Sequence, residues 1–319
     1  MKIGLVCPYN ITKGGGVNEV IFATYAELIK RGHTVKIITP QPRDSEVIDV
    51  PDAIFAGSST DFRSPMKTTV QVSASGDTDK IGEMLGDEQF DILHFHEPWI
   101  PIISRQILLR SSSVNIATFH AKVPETLMSR TVIKVVTPYL KSVMKYLHHL
   151  TAVSDSAAEY AASLTDEPIT IIPNGIDLEK YRKSATTKKK KGPKTLLYIG
   201  RLEGRKGVKF LLQAYQLLNQ EVDNVQLIIA GDGPDREKLE MLAEDLQLPN
   251  VSFLGYISEE LKLELLADAD IYCSPAIYGE SFGIVLLEAM ATDTVIVAGN
   301  NSGYSDVMQD LGAISIVNP

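Results

Sequence analysis

Cysteine is scarce: the 319 residues hold two, Cys7 and Cys273. They lie far apart in apolar strand-like runs without metal-ligand spacing, so they read as buried reduced thiols of a cytoplasmic protein. Basic residues are in the minority, 31 Lys and Arg against 40 Asp and Glu, for a net charge of −9. That balance argues against generic nucleic-acid binding, which calls for a basic surface, while leaving room for local basic sites. No apolar run approaches the roughly 20 residues of a membrane span. The N-terminal run Met1–Cys7 is short and ended by Pro8, the mark of a strand and not of a signal peptide. No histidine follows His149.

What is present is an ordinary globular composition, 44% hydrophobic and 22% charged, in a chain long enough for two cores. Short apolar runs alternate with amphipathic segments, the pattern of parallel strands with crossover helices. Strands read at Lys2–Cys7, Thr34–Thr39, Asp91–His96, Asn115–Phe119, Leu150–Val153 and Ile169–Ile172. Gly16–Lys30 reads as the first crossover helix, with Gly32 beyond its end. Between Pro40 and Gly76 the periodicity fades into loops or a short hairpin. His148 and His149 are expected on a helix face. After Asn174-Gly175 the composition breaks, with Lys188, Lys189, Lys190 and Lys191 in a row and Gly192-Pro193 behind them. The run has no aromatics and reads as a solvated linker. Strands restart at Thr195–Ile199, Gln226–Ala230, Val251–Phe253, Ile271–Cys273 and Val295–Ala298. The expected organisation is an α/β pair of doubly wound, Rossmann-like domains, residues 1–177 and 195–319, joined by a Lys-rich linker over 178–194. Such a pair takes its ligand between the carboxyl ends of the two sheets.

The most informative stretch is Gly279-Glu-Ser-Phe-Gly-Ile-Val-Leu-Leu-Glu288. It reads as the first turns of a helix with Glu280 and Glu288 on one side, since eight residues span a little over two turns at about 3.6 residues each. The N–H groups of Phe282, Gly283 and Ile284 have no intrahelical partner at such an end and suit an anion. A phosphate place between two hydroxyl-accepting carboxylates suggests a phosphorylated sugar. In the same domain Gly200-Arg201-Leu-Glu-Gly-Arg-Lys206-Gly207 follows the first strand. Arg201 and Lys206 there can neutralise a diphosphate, arginine as a fork and lysine as a point charge. In the first domain Gly14-Gly15-Gly16 opens a helix but lacks the third glycine of a dinucleotide fingerprint, and no acidic residue ends the second strand. The glycines let backbone approach a ligand, or merely form a tight turn. His120 ends a strand, in a functional or a structural role. His94, His96 and Glu97 raise the question of a metal site, against which two strand histidines can simply hydrogen-bond in the core. Asp268-Ala-Asp270 resembles a metal-binding Asp-x-Asp, but sits where a cap or solvated role is more natural. Gly279-x-Ser281-x-Gly283 fits a nucleophile elbow, which needs an acid and then a histidine downstream. None follows, and the hydrolase reading ends there.

With these residues assembled, the chain resembles the retaining glycosyltransferases of family 4, of the two-domain GT-B fold. The likeness rests on Gly14-Gly15-Gly16-Val17, His94-Phe95-His96-Glu97-Pro98, Thr118-Phe119-His120, Ile172-Pro173-Asn174-Gly175-Ile176-Asp177, Gly200-Arg201 with Arg205-Lys206-Gly207, Gly231-Asp232-Gly233-Pro234, and the Glu280–Glu288 pair. Within the family it is most similar to bacterial phosphatidylinositol mannosyltransferases, through Val6-Cys7-Pro8-Tyr9 and Ala269-Asp270-Ile271-Tyr272-Cys273 onward to Met290. The resemblance implies a hexosyl transfer with Arg201 and Lys206 on the donor diphosphate in place of a metal, and no cofactor. Gly15 and Gly16 would approach the phosphate or sugar. Glu280 would hold sugar hydroxyls and Glu288 the ribose, with Tyr256 and Ile257 meeting the base by their backbone. Phe282, Gly283 and Ile284 complete the donor contacts. His120 would sit by the reacting sugar and join Glu280, Arg201 and Lys206 in catalysis.

The resemblance is weaker in the acceptor half, where Tyr9, Asn18 and Trp99 are the candidate contacts. A strongly basic helix of the inositol-lipid enzymes is replaced by Gly76-Asp-Thr-Asp-Lys-Ile-Gly-Glu83, Trp99 stands after His-Glu-Pro in place of a small polar residue, and Glu125 stands where a lysine is usual. Thr292-Asp293-Thr294 replaces a glycine and proline. The sequence ends at Pro319, before the helices that close the second domain in the family. The donor is expected to be GDP-mannose, with a UDP-hexose as alternative, and the acceptor a lipid or glycan. A silent sugar-nucleotide-binding scaffold and an epimerase are the rival readings. Ser129–His149 carries Arg130, Lys134, Lys141 and Lys145 among aliphatics. It serves either a peripheral contact with an anionic membrane, at the inner face of the plasma membrane, or a crossover helix.

Overall fold

Strands that are buried on both faces need no polar alternation, and the central ones here have almost none. β1 (Lys2–Val6) is buried from Ile3 through Val6, and β9 (Lys194–Ile199) from Thr195 through Tyr198. The computed structural model describes residues 1–12, 15–42, 50, 52–63, 69–75, 77–100, 102–122, 137–185 and 192–318. The chain forms two units, Met1–Asn174 and Gly175–Pro319.

In the first unit β1 is followed by β2 (Thr34–Gln41), β3 (Ala53–Arg63), β4 (Thr69–Ser75), β5 (Ile92–His96), β6 (Val114–Phe119), β7 (His149–Ala152) and β8 (Ile169–Ile171). They lie in the order β4-β3-β2-β1-β5-β6-β7-β8. Every pairing is parallel except β3 with β4. The fading periodicity after Pro40 thus hides a hairpin that extends the sheet at its edge. The helix Gly16–Lys30 has the bounds read from the sequence. Leu5, Ile21 and Ile37 meet in one core, while Val6, Leu93, Phe95 and Ile107 meet in another. Glu88 ties the layer together, reaching Lys2 and Lys36 at 2.6 Å each.

In the second unit β9 is followed by β10 (Val225–Ala230), β11 (Val251–Gly255), β12 (Ile271–Ser274), β13 (Val295–Gly299) and β14 (Ile316–Val317). The order is β11-β10-β9-β12-β13-β14, parallel throughout. β14 is two residues long, too short to give a sequence pattern. Asp270 closes the loop before β12 by accepting the Thr195 N–H at 3.0 Å and pairing with Lys194 at 3.0 Å. That is a structural task, as its position before the strand suggested.

Three expectations need correction. Residues 178–194 do not begin as a linker: Leu178–Ala185 is a helix whose Tyr181 is buried in the second unit's core, and the division between units falls after Asn174. The apolar Tyr181 gave that helix a place to dock. His148 and His149 are not on a helix. His149 begins β7, and His148 accepts the Asn115 N–H through Nδ1 at 2.9 Å. Glu280, expected within a helix, lies before its start, since that helix is Ile284–Ala291. Gly14, Glu125, the lysine run 188–191 and the 129–136 part of the amphipathic segment lie outside the described residues. Over 137–144 that segment is helical, with Leu140 and Val143 buried and Lys141 exposed.

Candidate active site

Open parallel sheets collect ligands at the carboxyl ends of strands where the strand order reverses. In the second unit that point lies between β9 and β12. The loop after β9 runs Gly200 to Gly207 and ends in the short turn Gly204–Lys206. Gly207 has φ 71°, and a Cβ there would lie 2.0 Å from the Pro275 carbonyl oxygen. Only glycine lets this loop lie so close to the one after β12. The Ile277 N–H then donates to Arg205 O at 2.9 Å. This approach delivers Arg205 and Lys206 to Glu280.

Glu280 Oε1 meets Arg205 Nη1 at 2.5 Å and Lys206 Nζ at 2.8 Å. Arg205 Nε reaches Glu203 Oε2 at 3.1 Å, and Arg201 Nε reaches Glu203 Oε1 at 2.9 Å. Burial works against the Arg205 charge, but Glu280 and Glu203 beside it hold the guanidinium above its ordinary value. Three cations face two carboxylates, so the cluster carries one positive charge in excess. Arg201 is its open member, with 45% of its side chain exposed against 11% for Glu280. Sequence reasoning assigned Arg201 and Lys206 but passed over Arg205 and Glu203. The Gly-Arg-Lys-Gly turn was the available signal, since it presents both cations from adjacent positions.

Glu280 does not lie in a helix as expected. The helix is Ile284–Ala291, and Gly283 precedes it in a left-handed conformation at φ 94°. A Cβ on Gly283 would lie 2.7 Å from the Tyr304 ring, so the turn needs glycine. The carboxylates are therefore separated by this turn and do different things. Glu288 is 1% exposed. Its Oε1 accepts from Tyr181 Oη at 2.7 Å and Lys262 Nζ at 2.8 Å. Its Oε2 has no partner among the described residues. Tyr181 and Lys262 escaped the sequence reading because nothing local links them to Glu288. At the end of β11, Tyr256 is 80% exposed, beside the half-buried Ile257.

In the first unit the order reverses between β1 and β5. Gly15 precedes the helix Gly16–Lys30, and a Cβ there would meet nothing. The fold itself makes no demand for glycine at that place. Asn18 is buried, gives its amide to Asn10 O at 3.1 Å and accepts the Cys7 thiol at 3.4 Å. Tyr9 O accepts from Thr39 Oγ1 at 2.8 Å. These contacts hold the loop after β1.

His94 and His96 share a face of β5 with rings 4.4 Å apart, and His96 Nδ1 lies 2.8 Å from His120 Nε2 beyond β6. Burial pushes all three down: His94 to about 4, His120 to about 3, and His96 well below its ordinary value. They are neutral imidazoles. Glu97 Oε1 accepts the His120 backbone N–H. Burial nevertheless pushes the Glu97 carboxyl up to about 8, against hydrogen bonds from the backbone of His120 and Ala121 and from Trp99. Trp99 also packs on Phe119 and Tyr160, with ring centroids 4.9 and 5.6 Å apart. Among the described residues no three His, Cys, Asp or Glu side chains are arranged so that they could hold a metal ion.

Comparison with known proteins adds two family matches. Residues 14–180 match the model described as Glycosyltransferase Family 4, and residues 179–318 the one described as Glycosyl transferases group 1. The chain is 31% identical over 315 residues to a phosphatidyl-myo-inositol mannosyltransferase of Mycolicibacterium smegmatis, spanning 97% of this chain and 79% of that protein. It is 32% identical over 318 residues to the Mycobacterium leprae protein of the same name, spanning 97% and 81%. Among solved structures, sucrose-phosphate synthase from Thermosynechococcus elongatus superimposes with a TM-score of 0.72 at 18% identity, covering 98% of this chain and 88% of that one. Anabaena HepE in complex with UDP and glucose gives 0.69 at 16% identity, covering 99% and 89%. These structural likenesses bear on the fold, which they share as two Rossmann-like parallel-sheet domains of the GT-B kind.

Proposed function

The chain belongs to glycosyltransferase family 4, and on that premise we propose that it transfers mannose from GDP-mannose to a lipid or glycan acceptor. The transfer proceeds with retention at the anomeric carbon, without a metal or cofactor. The observation that carries this reading is the cluster of Arg201, Arg205 and Lys206 around Glu280 and Glu203 at the β9–β12 reversal. It holds its excess cation on preformed geometry, which is what a departing diphosphate requires.

In this reading a diphosphate draws Lys206 away from Glu280 and takes a fork from Arg201. Backbone N–H groups at Gly283 and Ile284 meet the same charge. Glu280, released from one of its two cations, accepts hydroxyls of the sugar. Glu288 offers its idle Oε2 to a ribose hydroxyl, and the backbone at Tyr256 and Ile257 meets the base. Gly15 and Gly16 let backbone approach the phosphate or sugar, and His120 contacts the transferred sugar. The leaving diphosphate receives the acceptor's proton, so no separate base is needed. Tyr9, Asn18 and Trp99 belong to the acceptor side, where Asn18 and Trp99 act through the loops they hold. Contact with an anionic membrane, at the inner face, would fall to Lys141 and Lys145, both exposed. Among the described residues no helix is long and apolar enough to cross a membrane.

Mannose is favoured by the names of the relatives at 31–32% identity. A UDP-hexose is the second reading, favoured by the UDP in a structural neighbour. A thermal-shift panel separates them. Ligand at a hundred times its dissociation constant stabilises by about 2.7 kcal/mol, worth roughly 5–10 °C for a unit of this size. GDP-mannose should give that shift and UDP-glucose should not. The reverse result assigns the donor to UDP.

A further inference from the structure

The first unit contains a hydrogen-bond chain whose direction can be worked out from its far end. Thr151 Oγ1 donates to Ala117 O at 3.0 Å. A hydroxyl has one proton, so at its 2.6 Å contact with Thr118 Oγ1 Thr151 accepts. Thr118 has then spent its own proton, and at 2.7 Å from His94 Nε2 it accepts in turn. His94 therefore carries its proton on Nε2.

The same reasoning settles the pair beside it. One proton lies between His96 Nδ1 and His120 Nε2, 2.8 Å apart. The other nitrogen of His96, Nε2, is buried without a partner among the described residues. A proton placed there would be an orphaned buried N–H, which proteins tolerate less readily than an idle acceptor. The proton consequently sits on His96 Nδ1 and is donated to His120 Nε2. A neutral His120 must then carry its own proton on Nδ1.

We propose that His96 is a positioning residue that locks His120 as its Nδ1–H tautomer, through the 2.8 Å contact between the two rings. His120 is also held through its backbone, by the N–H bond to Glu97. Ring and main chain are thus fixed by two consecutive residues, His96 at the end of β5 and Glu97 just beyond it. Resting on the assignment of His120 to the transferred sugar, this makes His120 a neutral hydrogen-bond donor to a sugar oxygen. It is then neither the base nor a cation of the reaction, and its Nε2 lone pair is already occupied.

The tautomer is read directly by long-range proton–nitrogen NMR on protein labelled with 15N-histidine. His120 is assigned by the signal that disappears in His120→Gln. The wild type should show His120 Nδ1 protonated and Nε2 unprotonated; the opposite pattern overturns the proposal. His96→Phe removes the donor, whereas His96→Asn keeps an N–H close to the place of Nδ1. The first should release His120 towards the Nε2–H form and cut kcat about tenfold, the cost of one directed hydrogen bond, with KM for the donor nearly unchanged. The second should restore most of both. A His96→Phe protein with wild-type kcat overturns the positioning role, as does equal loss in the two variants. The proposal and the assigned function fail separately, because the NMR pattern needs no turnover and a silent wild-type chain would count against the function alone.

Discussion

Raising the pH from 5 to 6 should stabilise the first unit, and raising it from 6.5 to 8 should destabilise it again. The rise comes from the histidines. A histidine in the unfolded chain titrates near 6.5, while His94 and His120 titrate at about 4 and about 3 in the fold. Between those values the unfolded chain holds protons that the folded chain does not, so their stability is present above about 6.5 and is lost as pH falls towards 4 and 3. Glu97 works in the opposite sense. Its ordinary value is 4.5 and its folded value about 8. The fold therefore retains a proton that the unfolded chain has released, and stability is lost as pH rises through that window. At pH 5.5 unfolding takes up about 1.8 protons at His94 and His120 and releases about 0.9 at Glu97, a net gain of about 0.9. The slope is then about +1.2 kcal/mol per pH unit, and His96, lowered by the same burial, adds to it. Above pH 6.5 the histidine contribution fades: at pH 7.5 unfolding releases about 0.8 protons at Glu97 and still takes up about 0.2 at His94 and His120, so the slope turns to about −0.8 kcal/mol per pH unit. Urea unfolding at half-unit pH steps measures this, with Trp99 as the signal. It is the single tryptophan of the chain and packs on Phe119 and Tyr160 beside Glu97. Glu97→Gln should abolish the fall above pH 6.5 and steepen the rise below it. A wild-type profile that is flat from 6.5 to 8, or a fall that persists in Glu97→Gln, would refute the reasoning.

Gly207→Ala should lower stability by about 2 kcal/mol or more, because it combines a left-handed backbone with a clash against the Pro275 carbonyl. Thermal unfolding reads the loss, and an unchanged midpoint would show that the two loops are not in contact. In the donor panel, Lys206→Ala should fold normally yet lose most of the GDP-mannose shift; an undiminished shift would remove Lys206 from the diphosphate.

The alternation of apolar strands and amphipathic segments made the sheets legible, because strands buried on both faces write their burial as continuous Val, Ile and Leu. β14 and the β3–β4 hairpin were not legible in the same way. A two-residue strand has no period, and an edge hairpin has no need of an apolar face on both sides. Within the site, Arg201, Lys206, Glu280 and Gly283 stand in short recognisable runs. Glu203, Tyr181 and Lys262 do not, since their roles come from neighbours distant in sequence: Tyr181 reaches Glu288 across 107 residues. The expected helical register of Glu280 and Glu288 was misplaced for a definite reason. A spacing of eight residues is compatible with one helical face, but Gly283 breaks the run and starts the helix at Ile284. The histidines were visible as residues and not as a network, because only the register of β5 on β6, with His94 opposite Ile116 and His96 opposite Thr118, puts the three imidazoles in line.

The central claim is that the cation cluster around Glu280 supports transfer of a sugar from its nucleotide. Release of GDP from GDP-mannose with a lipid or glycan acceptor, together with NMR of the new anomeric linkage, tests it most directly. The account predicts an α-linked product from the α-linked donor. It also predicts a loss of at least about 100-fold in kcat for Lys206→Ala, on the scale of removing one preorganised charge partner from a transition state. A β-linked product, or a Lys206→Ala enzyme with wild-type turnover, would contradict it.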